Sequence, residues 1–139
     1  MTRIHRISPQ PLTGKVLEDI TTGDFRLSLS NESKVLSEKC RRYLDVKMEE
    51  SSVPIYGITT GFGPLCNKTI SRNELSQLQK NLVMSHACST GAEVSSEIVR
   101  LMLFLKAHAL SLGNSGVQVA TVERIIDFYN NDVLPVVYD

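Results

Sequence analysis

Apolar residues recur along the first fifty positions at spacings that predict short strands alternating with helices. Strict alternation of apolar and polar residues indicates a strand, whereas apolar residues three and four positions apart indicate a helix. The charged stretch after Ser30 carries apolar residues among its charges, and Ser30 or Asn31 is suited to cap it as an amphipathic helix. The predicted elements are strands at 3–8 and 25–29 and helices at 12–20 and 31–50.

Three further helices are predicted in the second half of the chain. Ser71 and Glu74 have the spacing of a capping box, and Gly113 followed by Ser115 is typical of a helix end and a new N-cap. These helices run from 71 towards 91, from 95 to 112 and from 115 to 130. The whole pattern predicts a mainly α fold with a few short strands, in one unit that spans residues 1–139.

Two of the predicted helices have informative faces. In the helix that begins near Ser71, Leu78, Leu82 and His86 fall on one narrow apolar stripe, so we expect this histidine to face inward. The helix over 95–112 is apolar nearly all round, which is typical of a helix that is buried on several sides. One small domain offers few such places, and we therefore expect this helix to pack against partners.

Composition narrows the classes of function. The 139 residues carry 15 basic and 15 acidic side chains, so the formal net charge is zero. Binding to nucleic acid or anionic lipid through phosphate groups needs a basic patch, and neither partner is expected here. The first residues lack a signal-like apolar stretch and no run is long enough to span a bilayer, which predicts a cytoplasmic protein without a membrane partner.

The glycine-rich segment YGITTGFG is predicted to be a loop. Its glycines do not form a phosphate cradle, because Cys66 stands where the dinucleotide fingerprint needs a third glycine and no Gly-Lys-Ser/Thr follows. Tyr56 opens the loop directly before Gly57, where a side chain can be presented outward. A phenol loses its proton near pH 10, and use of a tyrosine as a base near neutrality needs about 4 kcal/mol of phenolate stabilisation. Only a purpose-built site supplies that.

The histidines and cysteines do not predict a metal site. Three widely spaced cysteines contain no CxxC pair, and His86 with Cys88 lacks a second pair of ligands at suitable spacing. His86 is therefore either a hydrogen-bonded core residue or a functional one. His5 and His108 are expected to be structural or solvent-facing. Cys66 and Cys88 are expected to be small buried residues, because no basic neighbour is evident to activate either thiol.

Four segments, taken in order, resemble the N-terminal part of the aromatic amino-acid ammonia-lyases. This family includes histidine, phenylalanine and tyrosine ammonia-lyases and related aminomutases. The likeness extends from about Ile7 to the last residue, in the family's order and spacing. The segments are YGITTGFG at 56–63, LQKNLVMSHA at 78–87, LMLFLKAHALSLGNSG at 101–116 and VLPVV at 133–137.

The resemblance implies the helical fold of these enzymes, with an inner Tyr/Gly loop, and elimination of ammonia from an aromatic amino acid to give an α,β-unsaturated acid. By the same resemblance Tyr56 matches the proposed catalytic base and Gly63 closes its loop. Ser85 and His86 match the pair that helps to select the substrate ring. A Ser-His pair suits an imidazole or another polar ring, although Thr59 is commoner in the phenylalanine and tyrosine branch.

The resemblance also implies a prosthetic group that this chain cannot form. The family makes its electrophile, the MIO group, from an Ala-Ser-Gly triplet, because ordinary side chains offer no strong electrophile. The present chain contains no Ala-Ser-Gly and stops before the segment that would lead to it. We therefore expect an N-terminal portion that is inactive alone and belongs, when full-length, to a homotetramer. Asn114 and Gln118 replace the family's usual tyrosine and arginine, which removes a guanidinium with five donors.

Two alternatives remain open. An unrelated helical domain could match the loop by accident, and a clean monomer with a well-packed core would favour that interpretation. A naturally short paralogue could keep the helical scaffold for oligomerisation or partner binding without catalysis. A reading frame that continues past Asp139 with Ala-Ser-Gly would favour the enzyme, whereas a stop codon would favour the scaffold.

Overall fold

The computed structural model describes residues 3–50, 53–66 and 68–139. Helices dominate these residues, which confirms the predicted fold class. Among the described helices, none is both long and apolar enough to cross a membrane. The elements are β1 (Arg3–Ile7), α1 (Gly14–Thr22), β2 (Phe25–Leu29), α2 (Asn31–Glu50), 3-10 turns at Gly63–Leu65 and Arg72–Glu74, α3 (Leu75–His86), α4 (Ser96–Ser111) and α5 (Val119–Asn130).

The first three elements form a small β-α-β unit. Strands β1 and β2 pair in parallel, from Arg3 opposite Phe25 to Ile7 opposite Leu29, and α1 makes the crossover between them. The Oγ1 of Thr13 accepts a hydrogen bond of 3.3 Å from the amide of Val16, which fixes the start of α1.

Helix α2 has the predicted bounds, 31–50. Ser30 is its N-cap side chain, because the Ser30 Oγ accepts a hydrogen bond of 3.1 Å from the amide of Ser33. This resolves the choice between Ser30 and Asn31 in favour of Ser30.

The core lies where the two strands meet α1, α4 and α5. Its large residues lose nearly all contact with solvent, and complete burial of a side chain of this kind contributes about 1.5–3 kcal/mol. Phe104 on α4 and Tyr129 on α5 are the largest of them. The buried cluster consists of Ile7, Ile20, Leu27, Phe104, Ala107, Val122, Ile126 and Tyr129.

Asn130 connects the end of α5 to β2 across 103 positions of sequence. The backbone amide of Leu27 donates to the Asn130 Oδ1 at 2.7 Å, and the Asn130 Nδ2 donates to the Leu27 carbonyl at 2.9 Å. The side-chain amide thus pairs with β2 as a neighbouring strand would, and satisfies both polar groups of a buried residue.

Three predicted helices have other bounds. Helix α1 spans Gly14–Thr22, two residues later than predicted, and helix α3 begins at Leu75 and not near Ser71. Helix α3 ends at His86 and does not continue towards Gly91. Helix α5 begins at Val119 after the cap residue Gln118, and Ser115 is not its N-cap. Gly116 explains the later start: its φ is +65°, which no right-handed helix contains, and its amide donates to the Cys40 Sγ on α2 at 3.2 Å.

Helix α4 is buried on one side only within the described chain. Phe104, Ala107 and His108 face the core, whereas Ile98 and Met102 remain about half exposed. The exposed side forms an apolar groove of about 540 Å³ with the C-terminal segment. The expectation of burial on several sides is therefore not met by these residues alone.

Candidate functional site

Tyr56 stands on a tight turn whose shape is fixed by backbone hydrogen bonds. The amides of Ile58 and Thr59 both donate to the carbonyl of Ile55, at 3.1 and 2.9 Å. Tyr56 is 65% exposed, and its side chain points away from the turn. No described residue makes a hydrogen bond to its hydroxyl. The Tyr56 phenol is thus exposed to solvent and is not buried in the core.

Two threonines brace the same turn from within. The Thr59 Oγ1 accepts from the amide of Ile55 at 2.8 Å, and the Thr60 Oγ1 accepts from the amide of Gly57 at 3.2 Å while its hydroxyl donates to the Gly61 carbonyl. Thr60 is almost fully buried. The glycines predict a loop here but not this bracing, for which two adjacent threonines are the only signal in the sequence.

Phe62 supports Tyr56 directly. The two rings meet edge to face, with centroids 6.1 Å apart and an interplanar angle of 73°. Gly57 lets the rings approach, because its φ is +71° and a Cβ built there would lie 3.1 Å from the Phe62 ring. The turn between Tyr56 and Phe62 therefore needs glycine at position 57.

The loop is closed by a short antiparallel contact and a 3-10 turn. Thr60 bridges to Thr69, the amide of Gly61 donates to the Lys68 carbonyl, and the amide of Ile70 donates to the Thr59 carbonyl. Gly63 begins the 3-10 turn, with a φ of +54° and open space around its α carbon. Gly63 thus ends the displayed part of the loop.

Ser85 and His86 form a hydrogen-bonded pair at the C-terminal end of α3. The Ser85 hydroxyl and the His86 Nδ1 both donate to the Leu82 carbonyl, at 2.9 and 2.8 Å, and lie 3.2 Å from each other. Because a carbonyl oxygen only accepts, this geometry requires a proton on Nδ1, and in a neutral imidazole Nε2 is then the acceptor. The pair can therefore accept a hydrogen bond from a ligand while its backbone side stays fixed.

The expectation that His86 faces inward was wrong. His86 is exposed, as are Val83 and Met84 on the same helix. An apolar stripe becomes a buried face only where another element covers it, and the main contacts of α3 are with the short turn before it. Cys88 is also exposed, which corrects the expectation of burial, whereas Cys66 is half-buried.

The structure places the predicted site residues on two elements and not in one cluster: Tyr56 and Gly63 lie on the glycine-rich loop, and Ser85 and His86 lie at the end of α3. Tyr56 contacts Phe62, and Ser85 contacts His86, but among the described residues no hydrogen bond or ring contact joins one pair to the other. No group of three or more potential metal ligands occurs in the described part of the chain. Chemically, the first pair presents a phenol and the second presents an imidazole nitrogen.

This mainly helical fold with a small β-α-β unit also occurs in solved structures of known enzymes. An ergothionase from Treponema denticola has a TM-score of 0.90 at 21% identity, over 97% of this chain and 27% of its own. Histidine ammonia-lyase from Trypanosoma cruzi has a TM-score of 0.78 at 28% identity, over 93% of this chain and 24% of its own.

The sequence comparison is more specific than the fold. The model of the aromatic amino acid lyase family matches residues 12–139, and the chain belongs to this family. A histidine ammonia-lyase from Clostridium tetani is 37% identical over 128 residues, which are 92% of this chain and 25% of the relative. The chain thus spans about a quarter of the length of the curated relatives that it matches.

Proposed function

We propose that this chain is the N-terminal portion, residues 1–139, of an enzyme that eliminates ammonia from an aromatic amino acid to give an α,β-unsaturated acid. Membership of the aromatic amino acid lyase family supports the reaction class, and relatives named histidine ammonia-lyases support a histidine-like substrate. A tyrosine-like substrate is the alternative, because Thr59 resembles the phenylalanine and tyrosine branch of the family more than the histidine branch. The full-length protein is proposed to be a cytoplasmic homotetramer.

The observation that carries the proposal is the display of Tyr56. Its ring is supported on one side by Phe62 and its hydroxyl is open to a ligand, on a turn braced by two threonines. A base that removes a β-hydrogen must reach the substrate directly, so an exposed phenol at a fixed position meets the geometric requirement. In this role Tyr56 takes the proton from the β-carbon onto its phenolate oxygen.

The chain supplies only part of what such a base requires. The described ring contact of Tyr56 is with Phe62, an apolar ring that offers no charge to stabilise a phenolate. Charged or hydrogen-bonding groups from the rest of the protein have to supply this stabilisation. The 139-residue chain is therefore proposed to be inactive alone.

Ser85 and His86 are proposed to hold the substrate ring. The His86 Nε2 accepts a hydrogen bond from a polar ring, such as an imidazole N–H or a phenol O–H, because Nδ1 is already committed to the Leu82 carbonyl. A phenyl ring offers no such donor and would leave Nε2 unpaired, which disfavours it. Gly63 is proposed to contribute to substrate binding where the loop ends, because its φ is +54° and the space around its α carbon is open.

The electrophile of the proposed reaction is not among the residues of this chain. When present, an MIO group supplies an electron sink that makes the amine a better leaving group. The chain has no Ala-Ser-Gly from which the group could form, so its own side chains do not fit that part of the site. They fit the parts that bind the ring and accept the proton.

A non-catalytic scaffold is the second candidate. The exposed apolar side of α4 favours it, because a half-exposed Ile98 and Met102 beside an apolar groove are typical of a packing surface. The same surface also suits the tetramer of the first proposal. Activity therefore distinguishes the two candidates, and association does not.

The test is a product assay on the full-length protein and on the 139-residue chain. Histidine, tyrosine and phenylalanine are supplied in turn, and urocanate, coumarate and cinnamate are followed by their ultraviolet absorbance. The proposal expects one of these products from the full-length protein and none from the short chain. A full-length protein that forms no product from any of the three, although folded by circular dichroism, would contradict the enzyme and favour the scaffold.

A further inference from the structure

Two histidines outside the candidate site meet at the junction of β1 and α4. The His5 ring lies edge to face against Phe104, with centroids 5.5 Å apart and an interplanar angle of 76°. His108 follows Phe104 by one helical turn, and their ring centroids are 6.4 Å apart. One phenylalanine of the core is therefore in contact with an imidazole from each of two elements.

His108 is the more constrained of the two. It is only 8% exposed, and its Nδ1 is buried without a hydrogen-bond partner among the described residues. A small cavity of about 130 Å³ adjoins both rings. Of the residues that line this cavity, His5, Arg6 and His108 are charged or titratable, and the described lining contains no carboxylate.

Protonation of either ring is unfavourable in this arrangement. A proton on Nδ1 of His108 would create a buried donor without an acceptor among the described residues, and the described lining of the cavity offers no carboxylate to offset the new charge. Burial lowers the pKa of His108, and it lowers the pKa of His5 with a further contribution from His108. The position of His108 in the last turn of α4 favours a cation there, but burial outweighs it.

We propose that His5, Phe104 and His108 form a proton-operated clasp between β1 and α4, which holds while both imidazoles are neutral and loosens when either takes up a proton. Opening of β1 exposes the imidazoles of His5 and His108 to water, where they bind protons more readily. Acid therefore favours the open form. The stabilisation is complete above the ordinary histidine pKa of 6.5 and is lost as the pH falls below 6.5 towards the lowered pKa of the closed form.

The wild-type protein tests the clasp without any variant. The Cε1 proton signals of His5, His86 and His108 are followed by NMR between pH 8 and 5, and amide exchange in β1 is measured over the same range and corrected for intrinsic exchange. We expect two histidines to titrate below 6.5, and opening of β1 to rise by up to about tenfold per pH unit for each proton bound. Titration of both core histidines at or above 6.5, or β1 exchange that is independent of pH, would overturn the clasp.

Variants assign the effect to particular rings. His108→Leu removes the buried titratable group, and we expect the pH dependence of β1 exchange to fall to that of His5 alone. His86→Gln is the matched control, because it removes the exposed histidine of α3 and should leave the dependence unchanged. If His108→Leu does not fold, His5→Phe keeps the ring contact and makes the same comparison. Loss of the pH dependence in His86→Gln would contradict the assignment.

Discussion

Replacement of Asn130 by alanine tests how the last turn of α5 holds the strand unit. Asn130 makes two hydrogen bonds to the backbone of Leu27, at 2.7 and 2.9 Å, and Leu27 is buried. Alanine removes both bonds and leaves the amide and the carbonyl of Leu27 without these partners. The loss falls on the junction that the small β-α-β unit shares with the helical part.

The expected loss of stability follows from these two bonds. A net hydrogen bond contributes about 0.5–1.5 kcal/mol, and a buried polar group left unpaired costs about 1–3 kcal/mol. Alanine is a better helix former than asparagine, which offsets a few tenths of a kcal/mol of the loss in the free energy of unfolding. We therefore expect Asn130→Ala to lower the free energy of unfolding by about 2–4 kcal/mol, which lowers the Tm by roughly 10 °C in a domain of this size.

The assay is urea unfolding followed by circular dichroism, with Asn131→Ala as the control. Asn131 is the next residue, and its exposed side chain donates only to the Asp127 carbonyl within the same helix. Its replacement should cost about 0.5–1 kcal/mol at most. Equal losses for the two variants would refute the reasoning, because the bonds across the strand junction would then contribute nothing beyond a local cap.

Two glycines and the Ser85–His86 pair can be tested in the same way. Gly113→Ala should destabilise the chain by more than about 2 kcal/mol, because the φ of Gly113 is +73° and a Cβ would lie 2.7 Å from the Cβ of Leu36. Gly14→Ala is the control, because a Cβ at Gly14 would meet no atom within 4 Å. This change should be neutral or stabilising in the same urea assay. Comparable effects of the two glycine changes would contradict this. In the full-length protein, Ser85→Phe with His86→Leu should shift the kcat/KM ratio from histidine towards phenylalanine by roughly tenfold or more, and an unchanged ratio would exclude the pair from ring selection.

Most helices and strands could be predicted from local sequence signals, within a few residues at their ends, whereas long-range contacts could not. Helix α2 has its predicted bounds because a capping serine and an amphipathic pattern are both local signals. The start of α5 was missed because Gly116 is held by Cys40, which lies 76 positions earlier. The pairing of Asn130 with Leu27 spans 103 positions, and no sequence signal near either residue predicts it.

The candidate site shows the same division. The position of Tyr56 at the start of a glycine-rich turn could be predicted from the sequence, because the glycines that follow it are a local signal of a loop. The orientation of His86 could not, because an apolar stripe reports a preference for burial and not the presence of a covering element. The clasp of His5 with His108 likewise depends on a contact between distant elements, and the sequence alone left both residues as structural or solvent-facing.

The most direct test of the account is the turnover of the full-length protein with Tyr56 replaced by phenylalanine. Tyr43→Phe is the matched control, because Tyr43 on α2 is 64% exposed, nearly as much as Tyr56, and takes no part in the proposed site. The account predicts that Tyr56→Phe lowers kcat by about a hundredfold or more while Tyr43→Phe retains it, with both variants folded. Undiminished turnover in Tyr56→Phe would contradict the central claim.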